Sequence, residues 1–391
     1  MAVVKLTHAR QHRVLLGHPW VYRSEVQDVH GHYRPGDVVE VVDHRGRFVG
    51  RGYINPASQI MVRLLTRHQQ EPIDREFFRR RIRAALDYRR RVVRDTDACR
   101  LIYAEADFLP ALIVDKFGDY LCVQTLALGI DVHKATLVEL LDEMLSPAGI
   151  YERNDVSVRE LEGLPLKTGF LKGSFDPLVE IKENGLTFLV DLAGGQKTGY
   201  FLDQRENRLA LRGLAEGARV LDCFCHTGTF SVYAAFFGAT SVLGIDISAE
   251  ALETARRNAA RNGLEKICTF REGNAFDELR AMDRAGERFD LIILDPPAFT
   301  KSKETVEGAV RGYKEINLRA MKLLPPGGFL VTCSCSYHMQ EELFLEVLMD
   351  AARDTGRQLR LVELRRQAKD HPVLPASPET HYLKCAVLQV W

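Results

Sequence analysis

The stretch RVLDCFCHTGTF, residues 219–230, decides the fold class of this chain. It begins with a short apolar run that ends in the carboxylate of Asp222, and a helical pattern over 229–237 follows after one tight turn. From residue 197 onward, such apolar runs alternate with helical patterns. This alternation predicts an α/β fold with a doubly wound parallel sheet of the Rossmann type, in which ligands bind beyond the carboxyl ends of the strands.

The elements predicted for this last part of the chain follow one another in regular order. They are strand 220–222, helix 229–237, strand 241–246, helix 249–262, strands 267–271 and 289–294, a long helix that ends before Pro325, strand 329–333, helix 340–354, and strands 360–364 and 383–390.

Two other parts precede this region. Residues 1–68 contain β-branched and aromatic runs between turn signals, which predict a small β-rich module with strands over 38–42 and 47–53. A central α+β domain is predicted from a helix over 72–97, strands over 120–126 and 186–191, and a helix over 131–145. We therefore expect three domains, over 1–68, 72–190 and 191–391.

The composition is that of a folded protein of several domains. Of its 391 residues, 46% are hydrophobic and 27% are charged. No run of about 18 apolar residues indicates a membrane span, and the first residues lack the apolar region of a signal peptide. Eight cysteines without a secretion signal favour free thiols in a reducing compartment. We expect a cytoplasmic protein with no membrane partner.

The charge is unevenly distributed along the chain. The formal net charge is +0, yet residues 1–100 carry 20 Lys and Arg against 11 Asp and Glu. A basic N-terminal part is compatible with a polyanionic partner, and equally with ordinary solvated helix faces.

The turn after Asp222 differs from a dinucleotide-binding turn. Of the three glycines that allow a pyrophosphate to approach the backbone, only Gly228 is present. Cys225 and His226 would obstruct that approach, which disfavours NAD and FAD.

The next two strands end in residues suited to a nucleoside. Asp246 ends the second strand, where a carboxylate accepts hydrogen bonds from both ribose hydroxyls. Asn274 and Ala275 follow the third strand, where an adenine ring would be flanked. A nucleoside cofactor without phosphate is thereby predicted, namely S-adenosyl-L-methionine, with a different ligand of a Rossmann-like domain as the alternative.

The fourth strand of this region ends in Asp295-Pro296-Pro297. Two prolines fix the backbone and remove N–H donors at the point where a planar substrate would enter. Such turns occur in methyltransferases that act on bases. The carboxylate of Asp295 is expected to lie unpaired at the strand tip.

Four cysteines form two Cys-x-Cys pairs, Cys223/Cys225 after the first strand and Cys333/Cys335 at the end of the fifth. With the fourth strand between them, the pairs would lie about 10 Å apart, too far to share a zinc ion bound at about 2.3 Å. We therefore expect no metal site. The other cysteines (Cys99, Cys122, Cys268 and Cys385) lie in apolar contexts typical of a core.

A thiolate beside a methyl donor has a well-defined use. Carbon 5 of a pyrimidine is a poor nucleophile, but attack by the Cys335 thiolate at carbon 6 makes it enamine-like, so that it accepts the methyl group. A base must then remove the carbon-5 proton, and the sequence does not identify it. Asp295 is expected to protonate or hydrogen-bond nitrogen 3 of the ring.

Across nearly its whole length the chain resembles the RlmI-type large-subunit ribosomal RNA cytosine-5 methyltransferases. The matching segments are YERNDV (151–156), GQKTGYFLDQR (195–205), the 222–230 turn, Asp295–Pro297, RGYK (311–314), Ser334–Ser336 and DHPV (370–373). The resemblance implies an N-terminal PUA module associated with RNA binding, entered at GHPWVY (17–22), then a central α+β domain and a class I methyltransferase domain. Self-association as a homodimer is compatible with the family.

The resemblance also assigns roles by position. The nucleophile falls on Cys335 rather than Cys333, with Asp295 beside it. Lys197, Tyr200, Asp203 and Gln204 either close over the cofactor or pack the entry to the first helix. The cofactor residues, with their immediate neighbours, are Asp222, Phe224, Thr227, Gly228, Asp246, Ile247, Asn274, Ala275, Asp295, Pro296, Gln204 and Tyr200.

Two other functions stay open at this point. One is methylation of a base nitrogen in guanine or adenine, with Cys335 as a bystander. The other is a non-catalytic RNA-binding factor in ribosome assembly, which the acidic Asp222, Asp246 and Asp295 disfavour. The scattered N-terminal histidines show no metal-ligand spacing.

Overall fold

The structure, a computed structural model, describes residues 1–300 and 303–391. The chain forms two units, and each is discontinuous in sequence. The first unit comprises Met1–Gly185, Val190–Leu202 and Lys369–Thr380, and the second comprises Leu186–Leu189, Asp203–Ala368 and His381–Trp391.

The first unit begins with a six-stranded sheet in the order β2-β6-β5-β4-β1-β3. Alternating side chains such as Val4, Leu6, Val39 and Val41 point into one apolar core. The elements are β1 (Val3–Leu6), α1 (His12–Leu15), β2 (Trp20–Tyr22), β3 (Val26–His30), β4 (Val38–Val42), β5 (Phe48–Ile54) and β6 (Ile60–Thr66).

A second sheet of five strands, in the order β11-β10-β9-β8-β7, completes the core of this unit together with its helices. A two-stranded hairpin follows in the chain, and its second strand, Leu186–Asp191, is divided between the units, with Leu186–Leu189 belonging to the second. The elements are α2 (Arg75–Val92), β7 (Ala98–Tyr103), β8 (Leu112–Phe117), β9 (Tyr120–Thr125), α3 (Leu128–Val132), α4 (Lys134–Leu145), β10 (Gly149–Asn154), β11 (Lys167–Lys172), β12 (Leu178–Glu183) and β13 (Leu186–Asp191).

The sequence prediction is least accurate in this part. The helix predicted over 72–97 ends at Val92, because Val93 is extended and Asp95 has a φ of +55°. The helix predicted over 131–145 is two helices that meet at His133. Five strands were not predicted, because most of them mix polar and apolar residues without regular alternation. They are β7, β8, β10, β11 and β12.

The second unit has the predicted alternation of strands and helices. Its elements are α5 (Arg205–Arg208), β14 (Arg219–Cys223), α6 (Thr229–Phe236), β15 (Ser241–Asp246), α7 (Ala249–Arg261), β16 (Cys268–Glu272), α8 (Ala275–Ala285), β17 (Leu291–Leu294), α9 (Val306–Leu323), β18 (Gly328–Ser334), α10 (Glu341–Thr355), β19 (Leu359–Arg365) and β20 (Lys384–Val390).

These strands form one seven-stranded sheet in the order β16-β15-β14-β17-β18-β20-β19. The first five are parallel, as predicted, whereas β20 runs antiparallel to both β18 and β19. The sheet is therefore mixed, because the chain turns back to insert its last strand between two others. The strand order reverses between β14 and β17, and ligands bind at such a reversal.

In the part of the chain that the structure describes, no helix is both long and apolar enough to cross a membrane.

Candidate active site

The turn between β14 and α6 has an unusual backbone. Phe224, His226 and Gly228 have φ values of +64°, +49° and +72°, so two residues with side chains adopt a left-handed conformation that costs about 1–3 kcal/mol each. The amide of Cys225 donates to the Ile245 carbonyl at 3.0 Å. A strained backbone persists only where the surrounding structure holds it in place, and such residues cluster at functional sites.

Gly228 is required for two reasons. Its φ suits glycine, and a Cβ added there would lie 2.8 Å from the Cβ of Ala255 and 2.9 Å from Cε1 of Phe270. The carbonyl of the preceding Thr227 accepts a hydrogen bond from Asn258 Nδ2 at 2.9 Å. The end of the turn is thereby packed directly against α7 and β16.

Asp222 is a buried carboxyl group with a strongly raised pKa. It is fully buried, and its Oδ2 accepts a hydrogen bond from Ser231 Oγ at 2.6 Å. Oδ1 is buried without a hydrogen-bond partner among the described residues. Burial raises the pKa of Asp222 to about 7, against the Ser231 hydrogen bond and with further raising by the charges of Asp295 and Asp246. An unpartnered oxygen among three acids fits a cationic ligand.

Asp246 ties the same turn to β15. Its Oδ2 accepts from the His226 amide at 2.8 Å and its Oδ1 from the Ser248 amide at 3.0 Å. Each carboxylate oxygen has a second lone pair, so the group retains acceptor capacity for hydroxyls. The neighbouring Ile247 side chain is 72% exposed, an apolar surface of the kind that a planar base covers.

Aromatic rings surround the turn. Phe224 packs edge-on against Phe276 and Phe299, with ring centroids 6.3 and 6.4 Å away. Asn274 begins α8, where its Oδ1 accepts from the Phe276 amide at 3.0 Å, and Ala275 after it is buried. The predicted residues at the ends of β14, β15 and β16 therefore lie on adjacent, hydrogen-bonded strands.

The expectation of an unpaired Asp295 is wrong. Its Oδ1 accepts a hydrogen bond from Gln204 Nε2 at 2.9 Å, and the Gln204 Oε1 accepts in turn from Asn207 Nδ2 at 2.7 Å. Gln204 is buried, so its amide holds the carboxyl group in one orientation. From the sequence, Gln204 was expected just before the methyltransferase domain, but its hydrogen bond to Asp295 was not predicted. The two residues are 91 positions apart in the chain. Pro296 is buried beside Asp295.

Cys335 follows the last residue of β18 and is half-buried. Its Sγ lies 3.8 Å from the Pro296 carbonyl oxygen, which places the thiol against the Asp295-Pro296 turn. All eight cysteines belong to the described residues, and the other seven are buried. A hydrogen bond that the Cys333 S–H donates to Cys385, together with burial, raises the pKa of the Cys333 thiol. Geometry therefore favours Cys335 over Cys333 as a reactive group.

The buried hydroxyl group of Tyr313 contacts the side chains of both residues that flank Cys335. Ser334 Oγ donates to the Tyr313 hydroxyl oxygen at 3.0 Å, and Ser336 Oγ lies 3.3 Å from the same oxygen. Lys384 Nζ donates to the Ser336 carbonyl at 2.6 Å. The RGYK segment is part of the family resemblance, but no role was predicted for Tyr313. Lys384 was not predicted, although a lysine at the start of a mostly apolar strand indicates a buried polar contact.

The GQKTGYFLDQR segment is divided between the units. Lys197 and Tyr200 belong to the first unit, where Lys197 Nζ lies 4.6 Å from the Phe201 ring centroid and the Tyr200 hydroxyl lies 3.3 Å from Glu183 Oε1. Asp203 and Gln204 belong to the second, where Asp203 accepts from the Tyr382 hydroxyl. Tyr200 is not among the residues that the second unit brings together. In residues 1–300 and 303–391, no group of three or more His, Cys, Asp or Glu has the arrangement of a metal site.

Family models match two segments of the chain. A PUA-like domain matches residues 4–67, and an S-adenosylmethionine-dependent methyltransferase matches residues 157–385.

Curated relatives match almost from end to end. The ribosomal RNA large subunit methyltransferase I of Shewanella amazonensis is 46% identical over 393 aligned positions, covering 99% of both chains. The protein of the same name from Salmonella arizonae is 43% identical, covering 97% of this chain and 95% of its own.

Solved structures share the fold. A methyltransferase in complex with SAH is 20% identical with a TM-score of 0.86, and a SAM-dependent methyltransferase from Streptococcus mutans is 20% identical with a TM-score of 0.84; each covers 100% of both chains. At this identity the likeness concerns the fold alone.

Proposed function

Because this chain belongs to the ribosomal RNA large subunit methyltransferase I family and uses S-adenosylmethionine, we propose that it methylates carbon 5 of a cytosine in large-subunit ribosomal RNA. One observation carries the carbon-5 chemistry. The half-buried thiol of Cys335 lies 3.8 Å from the Pro296 carbonyl, at the strand end beside Asp295. This arrangement supports Cys335 as the nucleophile and Asp295 as the group that binds the ring.

The acidic strand ends fit the cofactor, which supplies an electrophilic methyl group when bound. The unpartnered Oδ1 of Asp222 suits its ammonium group, and Asp246 suits the ribose hydroxyls. Exposed Ile247 offers an apolar face to adenine. The remaining proposed cofactor residues are Phe224, Thr227, Gly228, Asn274, Ala275, Asp295, Pro296 and Gln204, whereas Tyr200 stays a prediction.

The chain's own residues carry the substrate steps. The Cys335 thiolate attacks carbon 6 of the cytosine, and the ring electrons move toward carbon 5, which takes the methyl group. The Asp295 carboxyl, oriented by Gln204, hydrogen-bonds nitrogen 3 and stabilises the adduct. Removal of the carbon-5 proton then restores the ring and releases the thiolate.

The deciding experiment compares Cys335→Ala with Cys333→Ala in methyl transfer to ribosomal RNA from cells that lack the protein. We expect Cys335→Ala to lose transfer almost completely and Cys333→Ala to retain it, with 5-methylcytidine found by mass mapping of the product. Full transfer by Cys335→Ala, or a methyl group on a base nitrogen, would favour the nitrogen-methylation alternative. Failure to bind S-adenosylmethionine in calorimetry would favour the assembly factor.

We also propose an RNA contact within the first unit. A cavity of about 220 Å³ there is lined by Arg67, His68, Arg81 and Phe108, among others. Phe108 is 52% exposed and has a left-handed φ of +58°, and the Arg81 guanidinium lies 5.5 Å from its ring centroid. An exposed ring beside an arginine is a platform for an unpaired base.

The test of this contact is Phe108→Ala, measured as RNA affinity. A lost stacking contact of about 1–3 kcal/mol predicts weakening by at least fivefold. The control is Phe236→Ala, which removes a similarly exposed ring from α6 in the second unit. Equal effects of both substitutions would contradict the assignment.

The division into domains over 1–68, 72–190 and 191–391 also stays a proposal, supported by the PUA-like match over 4–67. We also propose a cytoplasmic location, because a protein that modifies ribosomal RNA acts where that RNA is assembled.

A further inference from the structure

Lys384 is a buried cation that the proposed mechanism does not use. Its side chain is only 2% exposed at the start of β20, where it pairs in register with Ser334. Its Nζ donates to the Ser336 carbonyl at 2.6 Å and to the Tyr382 carbonyl at 2.8 Å. An ammonium group has three donors, so these two contacts leave one.

The usual partner of a buried ammonium is missing. Among the described residues, no carboxylate oxygen lies within 4.0 Å of Lys384 Nζ. Burying a charge without a counter-charge is strongly unfavourable, so buried cations are normally paired. Burial lowers the pKa of Lys384 to about 8, and the negative charges of Cys335 and Glu341 oppose that lowering.

Two negative charges act on Lys384, those of Cys335 and Glu341. Glu341 on α10 already binds Arg366 at 3.4 Å. Lys384, by contrast, is bonded on both sides of Cys335: its backbone pairs with the residue before the thiol and its Nζ with the residue after it. The other titratable and charged groups of the surrounding elements are Tyr313 on α9, Cys333 on β18, Glu342 on α10, Arg366, and His381, Tyr382 and Cys385 of the last segment.

We propose that Lys384 is the positioning residue of Cys335, a fixed ammonium whose counter-charge is the Cys335 thiolate. The thiol loses its proton to water, the lysine stays protonated, and the new negative charge pairs with a positive charge already in place. The hydrogen bond to Ser336 holds the backbone after the nucleophile. This inference rests on the proposed function, in which Cys335 must be ionised to attack carbon 6.

The test is the pH profile of Cys335 alkylation by iodoacetamide, read by mass spectrometry without RNA or cofactor. An opposite charge lowers a thiol pKa by about one unit or more. In Lys384→Met we therefore expect the apparent pKa of Cys335 to rise by at least about one unit and alkylation at pH 7 to slow about tenfold. Lys384→Arg, which keeps the charge, should restore most of the rate.

Two controls distinguish an electrostatic effect on the Cys335 pKa from a loss of folded structure. Glu341→Gln removes a nearby negative charge and should leave the thiol pKa unchanged or slightly lower. S-adenosylmethionine binding by calorimetry verifies that each variant is folded. If Lys384→Met does not fold, Cys335→Ser supplies the reciprocal measurement by NMR: losing the thiolate should lower the pKa of the Lys384 ammonium.

An unchanged profile in Lys384→Met, or an unchanged lysine pKa in Cys335→Ser, overturns the pairing and leaves the proposed function standing. Methyl transfer by Cys335→Ala would instead overturn the proposed function, while the alkylation profile still reports the pair. The two failures are thus distinguishable.

Discussion

The Cys-x-Cys pairs at the ends of β14 and β18 share a spacing but differ in burial and in surrounding charge. Cys223 and Cys225 are both buried, and burial raises their pKa values, with further raising by the Asp222 carboxylate. At the other pair, Cys335 is half-buried and has a lysine beside it.

The difference originates in what the backbone does after each strand. After β14 the chain bends at once through left-handed Phe224, and the Cys225 amide is tied to Ile245, which turns the second thiol inward. After β18 the second thiol instead reaches the Pro296 carbonyl. Reactivity therefore depends on the turn and its charges, which a Cys-x-Cys spacing does not encode.

The sharpest way to break this comparison is to alkylate the wild-type protein and map the modified cysteines. We expect Cys335 to react at least about a thousandfold faster than Cys223 or Cys225, because buried thiols of raised pKa react only when the structure opens. Peptide mass spectrometry over time gives both rates. Comparable rates at Cys225 and Cys335 would remove the distinction between the pairs.

The acidic environment of the β14 end has a consequence for stability. Asp222 has a pKa of about 7 in the folded state, above its ordinary value of 3.8, so between these values the folded state binds more protons than the unfolded state. The free energy of unfolding should therefore fall as pH rises through this window, by on the order of 4 kcal/mol.

The measurement is denaturant unfolding of the ligand-free protein between pH 4 and pH 8, beside Asp222→Asn. The variant should lack this part of the pH dependence and gain stability relative to wild type as pH rises. Parallel pH curves for the two proteins would show that Asp222 is not the group responsible.

Substitution of Gly228, in the same turn, should have a smaller effect on the free energy of unfolding, and Gly217 offers a matched control. Gly228→Ala should lower the free energy of unfolding by about 3 kcal/mol, because it adds crowding to the strain of a left-handed alanine. Gly217→Ala has nearly the same φ, +71°, and open space around its Cβ, so about 1 kcal/mol is expected. Equal losses in urea unfolding would mean that the contacts of Gly228 with α7 and β16 are dispensable.

More of the second unit than of the first could be predicted from the sequence. Regular alternation identified the strands that carry Asp222, Asp246, Asp295 and Cys335, because each apolar run ends at a polar residue. The alternation did not predict that β20 lies between β18 and β19 and runs antiparallel to both, because the direction of strand pairing depends on contacts between distant segments. In the first unit, strands such as β10 contain buried charged residues and do not look apolar.

The candidate site was predicted as a set of strand ends, not as a set of contacts. The pairing of Gln204 with Asp295 joins two segments that only the folded chain brings together. The same is true of Tyr313 with the serines around Cys335. Local sequence patterns identify which residues lie at the carboxyl ends of the strands. The partners of their side chains depend instead on how the helices pack against the sheet in three dimensions.

The smallest expected effect concerns how firmly the accessible thiol is held. Tyr313→Phe removes the hydroxyl that Ser334 and Ser336 contact, so the backbone around Cys335 gains freedom and turnover should fall about threefold to tenfold, with the KM for RNA unchanged. Tyr53→Phe removes an equally buried hydroxyl from the first unit, bonded to the Pro110 carbonyl, and should leave turnover unaltered. Steady-state kinetics of both variants decide the matter. Equal losses would indicate general destabilisation, and an unchanged kcat in Tyr313→Phe would mean that β18 and Lys384 of β20 position the nucleophile without the tyrosine hydroxyl.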